Sequence, residues 1–328
     1  INELVEAWGP SGFEHHVRAL IQERVSDLAD EIRTDAVGNL ICRLGSGGTR
    51  IMVAAHMDEI GLMLTYQDDS GFFRFNPLGG LLPDTLFGNR VRFENGVTGT
   101  IGREGAWRRN DVPDLGEIYV DVSDGDGGYA DVNVGDPAAF FRHFEERGHR
   151  IIAKSLDDRI GCAVAVEAMR RLAEGDGLPN EVYFVFTVQE EVGVRGARPA
   201  AFGLSPDLGV AVDITPCPDT PRSPIKMAVE LGKGAAIKVY DRGLVVPSAV
   251  KNLMIRRAED AHIPYQLELL SLGSTDASGI SITGAGAPSG CISIPTRYAH
   301  TVSETVDMQD VRACVDLLVE VVGKPAEL

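Results

Sequence analysis

The sequence predicts an α/β fold interrupted by a small β-rich domain, and three observations predict it. Apolar runs of strand length alternate with segments of helical period over residues 1–61. From 62 to 150 the texture changes to short alternating segments divided by turn signals. The first pattern returns at Ile151 and continues to residue 328. A chain of 328 residues is long enough for a large core and two domains. The expected division is 1–61 with 151–328 as one domain and 62–150 as the inserted other.

In chain order, a helical period over residues 17–29 leads to a strand at 39–43. The Gly45-Ser46-Gly47-Gly48 segment lacks the lysine and following helix of a phosphate loop, so it reads as a turn. Residues 51–55 are all apolar, as suits a strand buried on both faces. In the insertion, Phe72-Phe73-Arg74-Phe75 and Val91-Arg92-Phe93 alternate, and Asn95-Gly96 signals a hairpin. Residues 121–131 are rich in Asp and Gly but miss the EF-hand spacing, so we read a solvated loop there rather than a calcium site. Ile160, Val164, Ala168 and Leu172 share one face of a helix over 158–172. Residues 183–188 form the clearest buried strand, with 209–212 and 291–294 as shorter ones. Residues 248–262 read as a surface helix, and Val311, Cys314, Val315, Leu318 and Val322 line one side of a C-terminal helix.

The 48 acidic and 31 basic residues leave a formal charge of −17. Such a surface repels phosphates and anionic lipids, which argues against nucleic acid and membrane partners. No apolar run approaches the roughly 20 residues that span a bilayer, and Asn2, Glu3 and Glu6 break any resemblance to a signal peptide. Lysine stands only at Lys154, Lys226, Lys233, Lys238, Lys251 and Lys324. An acidic, lysine-poor composition resembles proteins of salt-loving organisms, where salt screens self-repulsion. Cys42, Cys162, Cys217, Cys291 and Cys314 are widely spaced and odd in number. They suit reduced, buried thiols in a cytoplasm rather than disulfides or a cysteine zinc site.

Chemistry-bearing residues stand at the ends of the apolar runs. His56 with Asp58 follows 51–55, Glu190 and Glu191 follow 183–188, Asp213 follows 209–212, and His300 lies just past 291–294. Asp157 stands where the 158–172 helix begins. If these strands pair in parallel, the groups converge beyond their carboxyl ends. Histidines and carboxylates together are the ligands of borderline divalent metals, and one carboxylate can bridge two ions. In an extended chain Glu190 and Glu191 point to opposite sides, which suits one as metal ligand and the other as general base. Asp58 is placed to orient His56. Taken singly, His56 reads as a satisfied core or surface histidine more readily than as a ligand, Asp157 reads as well as a helix cap, and the glutamate pair reads also as a solvated strand end. His15 and His16 read as surface residues. No H-E-x-x-H signature is present, so a metal site must be assembled from separate segments.

Four motifs, Ala55-His56-Met57-Asp58-Glu59-Ile60-Gly61, Leu156-Asp157-Asp158-Arg159, Gln189-Glu190-Glu191-Val192-Gly193-Val194-Arg195-Gly196-Ala197 and Arg297-Tyr298-Ala299-His300, together resemble the M42 metalloaminopeptidases, the tetrahedral or TET enzymes. The resemblance runs in order from Gly9-Pro10-Ser11-Gly12 to the C-terminal helix. It implies a phosphopeptidase-like mixed-sheet catalytic domain with helices on both faces, interrupted by a PDZ-like or barrel dimerisation domain. It also implies two divalent ions, zinc foremost, with cobalt or manganese as alternatives. Asp157 bridges them, His56 and Asp213 complete one site, and Glu191 and His300 complete the other. Glu190 is then the general base and Asp58 the orienting residue. The implied substrates are peptides with a free amino end, and the implied assembly is a homododecamer built from six dimers. Thr301-Val302 replaces a frequent Ser-Pro, although Glu304 keeps the expected acidic position, and Ser274 in Gly273-Ser274-Thr275-Asp276 stands where glycine is common.

Rival expectations are a dinuclear zinc carboxypeptidase or N-acyl amino acid deacylase, a paired-carboxylate glycosidase, and an assembly protein with a degenerate site. Adjacent Glu190 and Glu191 suit a glycosidase poorly, because its two carboxyls must face each other across a sugar.

Overall fold

The computed structural model describes residues 1–105, 111–124, 128, 130–175 and 177–328. The chain opens with helices α1 (Asn2–Glu6) and α2 (His15–Val25), then strands β1 (Glu31–Thr34), β2 (Leu40–Leu44) and β3 (Arg50–His56). Strands β4 (Gly61–Gln67), β5 (Phe73–Leu78), β6 (Arg90–Phe93), β7 (Thr98–Arg103), β8 (Ile118–Asp121) and β9 (Pro137–Phe140) follow, with no intervening α-helix among the described residues. After β10 (Glu145–Arg147) and β11 (Arg150–Ala153) come α3 (Leu156–Ala173), β12 (Glu181–Thr187), α4 (Ala197–Leu204) and β13 (Leu208–Pro216). The chain ends with β14 (Ala235–Tyr240), α5 (Ser248–Asp260), β15 (Tyr265–Leu269), α6 (Asp276–Ser281), β16 (Ser289–Arg297), β17 (Glu304–Asp307) and α7 (Met308–Val322).

These strands make two sheets. The larger runs β1-β2-β12-β3-β13-β16-β17-β11-β10, with β14 on β16 and β15 on β14. At its centre β12, β3, β13 and β16 are parallel, with Thr187 opposite His56 and Asp213 opposite Ser293. Apolar alternation explains why both faces are covered. Ile51, Val53 and Ala55 of β3 enter one core with residues of α2, α3, α5 and α7, while Met52 and Ala54 enter another with α4 and α6. Helix α7 is fixed at its start by Asp307, whose side chain accepts from the Gln309 amide at 3.0 Å.

Strands β4-β5-β8-β7-β6-β9 close into an antiparallel barrel, which leaves no sheet edge free. Its own core includes Leu62, Leu64, Phe73, Phe75, Val91, Ile101 and Phe140. The expected Asn95-Gly96 turn joins β6 to β7, with Gly96 at φ +88°. Strand β10 pairs with β11 in the larger sheet.

Two helices differ from expectation. Helix α2 begins at His15 and stops at Val25, where the Leu28 amide turns back onto the Val25 carbonyl ahead of β1. Helix α3 includes Leu156, but Asp157 and Asp158 depart from helical dihedrals before the regular turns begin. Part of the acidic loop at 121–131 lies outside the described residues. All five cysteines are free and buried. Among the described residues, no helix is long and apolar enough to cross a membrane.

Candidate metal centre

Parallel pairing of β12, β3, β13 and β16 brings their carboxyl ends to one edge of the sheet, and the polar clusters of the sequence meet there. His56 closes β3, Asp213 lies within β13, and His300 follows β16 at φ +61°. Asp157 stands between the two histidines. Its Oδ1 is 3.1 Å from His56 Nε2 and its Oδ2 is 3.2 Å from His300 Nε2. Glu191 Oε2 is 3.6 Å from His300 Nε2, and Glu190 Oε2 is 4.0 Å from His56 Nε2. Two groups offer donor atoms within 4.8 Å of one another: His56, Asp157 and Glu191, and His56, Asp158 and Asp213.

The glutamate pair reaches its two histidines by a different route from the one expected. The chain is not extended there: β12 ends at Thr187, Gln189 takes a left-handed conformation (φ 55°), and a turn follows. That turn, rather than strand alternation, divides Glu190 from Glu191. Asp58 holds it, accepting the Glu190 amide on Oδ1 at 3.0 Å and the Glu191 amide on Oδ2 at 3.2 Å. Ser11 donates to the same Oδ2 at 2.6 Å. Asp58 also faces His56, whose Nδ1 lies 3.1 Å from the Asp58 carbonyl and 3.4 Å from Oδ1.

Several participants had no ligand or catalytic role assigned from sequence. Asp158 served there only as a helix start, yet it is wholly buried, and its Oδ2 accepts the His56 amide at 3.2 Å. Its one sign in the sequence is adjacency to Asp157, to which it is joined by a cis peptide bond. Glu304 links the Asp157 and His300 segments, accepting the Asp157 amide at 3.0 Å and the His300 amide at 2.8 Å. Asp276, at the start of α6, is buried with Thr187 donating to it, while its Oδ1 has no hydrogen-bond partner. The barrel side contributes backbone: Gly80 O accepts from His300 Nδ1 at 2.7 Å. A Cβ on Gly79 would come within 2.9 Å of Glu191, and one on Gly80 within 2.8 Å of His300. The Gly-Gly pair lets this segment lie directly against both side chains.

Burial pushes the acids of Glu190, Asp158 and Asp213 well above the carboxylate range, and that of Glu191 up to about 7. Burial and the Asp157 charge raise Glu304 to about 8. Burial also opposes charge on the imidazoles, but the surrounding carboxylates outweigh it. They raise His300 to about 11 and His56 well above its ordinary value. Asp157 moves the other way, because the hydrogen bonds from His300 and His56 outweigh its burial.

These residues fit divalent cations. Buried acids at the centre outnumber its histidines, so the site calls for further positive charge. Glu191 Oε1 is buried with no hydrogen-bond partner. Both imidazoles engage Nδ1 elsewhere and present Nε2 to Asp157, which leaves Nε2 as the nitrogen placed to meet a metal. A cation at Nε2 substitutes for the proton the carboxylates otherwise hold there. The set of imidazole nitrogen and carboxylate oxygen suits zinc, cobalt or manganese.

A parallel-centred α/β sheet with a buried histidine–carboxylate centre at its strand ends defines a metallohydrolase. Residues 38–317 match the family profile described as M42 glutamyl aminopeptidase. An Acetivibrio thermocellus relative is 45% identical over 316 residues, covering 96% of this chain and 94% of that protein. The lysyl aminopeptidase of Pyrococcus furiosus is 35% identical, covering 97% and 94%. The solved TET1 peptidase of Pyrococcus horikoshii, which assembles into a tetrahedron or a large octahedral shell, superposes with a TM-score of 0.88 at 32% identity. That superposition covers 98% of both chains.

The chain belongs to the M42 peptidase family. It is a metal-dependent aminopeptidase, a hydrolase of the exopeptidase kind. Neither these relatives nor the site geometry favours the carboxypeptidase, deacylase or glycosidase readings.

Proposed function

We propose that the enzyme uses two divalent ions, zinc foremost, with Asp157 bridging, His56 and Asp213 on one side, and Glu191 and His300 on the other. The observation that carries this reading is Asp157 itself, whose two oxygens each face the Nε2 of a different histidine. When bound, such a pair acidifies a water and polarises the scissile carbonyl. Glu190 then takes a proton from the attacking water and returns it to the leaving amine. Burial raises the proton affinity of Glu190 above that of an ordinary carboxylate, the direction an acid–base group needs. Asp58 keeps Glu190 and Glu191 in place through their amides and steadies His56. The acidic centre draws the protonated amino end of a peptide, which is the chemical basis for requiring a free N-terminus.

The assembly proposed is a homododecamer built from six dimers, as supported by a TET1 neighbour solved as a dodecamer. In it, residues 62–150 act as the dimerisation domain, and 1–61 with 151–328 as the catalytic domain. Five free, buried cysteines support a cytoplasmic setting. The family description specifies glutamyl and the Pyrococcus furiosus relative lysyl, so the preferred N-terminal residue is a matter for assay.

The test is hydrolysis of free and N-acetylated aminoacyl and peptide substrates, before and after chelation and with zinc or cobalt restored. Cleavage confined to free-amine substrates, lost on chelation and regained with metal, is expected. In the same assay Glu190→Gln retains metal and loses about 10²–10⁴-fold in rate. Near-normal turnover by the metal-loaded variant would remove Glu190 from its role.

A further inference from the structure

We propose a second metal site, separate from the catalytic centre, in which His15, His16 and Glu94 bind one zinc or similar transition ion and clamp α2 to the barrel. The two histidines begin α2, while Glu94 follows β6 in the barrel hairpin, so the donors come from distant parts of the chain. His15 Nε2 lies 2.8 Å from Glu94 Oε1, and His16 Nε2 lies 3.3 Å from the same oxygen. All three donor atoms fall within 4.8 Å of one another. An ion with tetrahedral bonds of about 2.0–2.1 Å holds its ligand atoms about 3.3 Å apart, so binding requires only small side-chain shifts.

The convergence of the two rings is itself informative. Consecutive residues of a helix point about 100° apart, yet these imidazoles have centroids 4.2 Å apart and face one carboxylate. Trp8 accounts for this. Its buried indole packs edge-on against both rings, at 6.3 Å and 6.0 Å. Its Nε1–H donates to the Arg92 carbonyl at 2.9 Å, so the wedge is fixed to the same strand that leads to Glu94. An exposed ion pair contributes little to stability and calls for no second histidine on the same oxygen.

With side chains about half exposed (44%, 53% and 49%), the site leaves room for water as a fourth ligand. Two imidazoles and one carboxylate select zinc, copper or nickel over magnesium or calcium. The ion would join the larger sheet's domain to the barrel and stabilise the folded form by mass action.

The experiment compares the full-length wild type with His15→Ala/His16→Ala and with Glu94→Gln. Each is dialysed against zinc, bound metal is counted by elemental analysis, and thermal midpoints are followed as zinc is added. The wild type should hold one more zinc per chain than the double variant and lose that ion first to a mild chelator. Its midpoint should rise with zinc more than either variant's, and aminopeptidase activity should agree within about twofold. Because the readout is a difference between variants, it holds whatever number of ions the catalytic centre binds. Equal zinc content and equal midpoint shifts in all three proteins would overturn the proposal.

Discussion

His56 and His300 arrive at the centre with Nδ1 already engaged, so a single hydrogen bond on each ring decides which nitrogen faces Asp157. Glu59, in the same segment as His56, shows how strongly one buried carboxylate can organise its surroundings. It takes Lys154 at 2.6 Å and Arg159 at 3.4 Å, with the Gly9 amide at 3.1 Å and a bond from Ser155. All three charged side chains are at most 3% exposed. Glu59→Ala leaves two buried cations without their counter-charge, so it should cost about 3–5 kcal/mol in denaturant unfolding. A change below about 1 kcal/mol would show that water or Ser155 replaces the carboxylate.

At the scale of elements, the segment carrying His300 is held at both ends. Glu304 binds its amide, and Arg297 at the end of β16 makes a two-pronged ion pair with Asp219, at 2.6 Å and 2.7 Å. Burial favours the neutral acid of Asp219, but the Arg297 bonds outweigh it and hold the group below its ordinary 3.8. Because the folded value is depressed, the stabilisation is complete above pH 3.8 and disappears as pH falls through the lower folded value. The stability difference between the wild type and Asp219→Asn should therefore be about 1.5–3 kcal/mol at pH 6, and shrink progressively as pH is lowered below 3.8. A difference that stays constant over that range would place the pair's contribution elsewhere. Element boundaries also shaped the site. The strand at 183–188 was legible, but its end at Thr187 and the turn at Gln189 depend on Asp58, which lies far away in sequence.

Over the whole molecule the charge of −17 works against compaction, and salt acts on it directly. Screening length falls from about 30 Å at 0.01 M to about 3 Å at 1 M salt. The thermal midpoint should rise across that range, and light scattering should show a mass near that of a dodecamer at high salt. A monomer at every salt concentration would overturn the proposed assembly. The sequence by itself determined the α/β class, the β-rich insertion and the convergence of His56, Asp157, Glu190, Glu191, Asp213 and His300. It could do so because most of these residues close an apolar run of strand length, on the assumption of parallel pairing that β12, β3, β13 and β16 adopt. Only the tertiary structure decided that Asp158 joins them, that Glu304 binds the Asp157 and His300 amides, that the Gly79-Gly80 backbone lies against Glu191 and His300, and that His15 and His16 meet Glu94. These contacts are fixed by packing between segments distant in the chain, and no local pattern of period or composition records that.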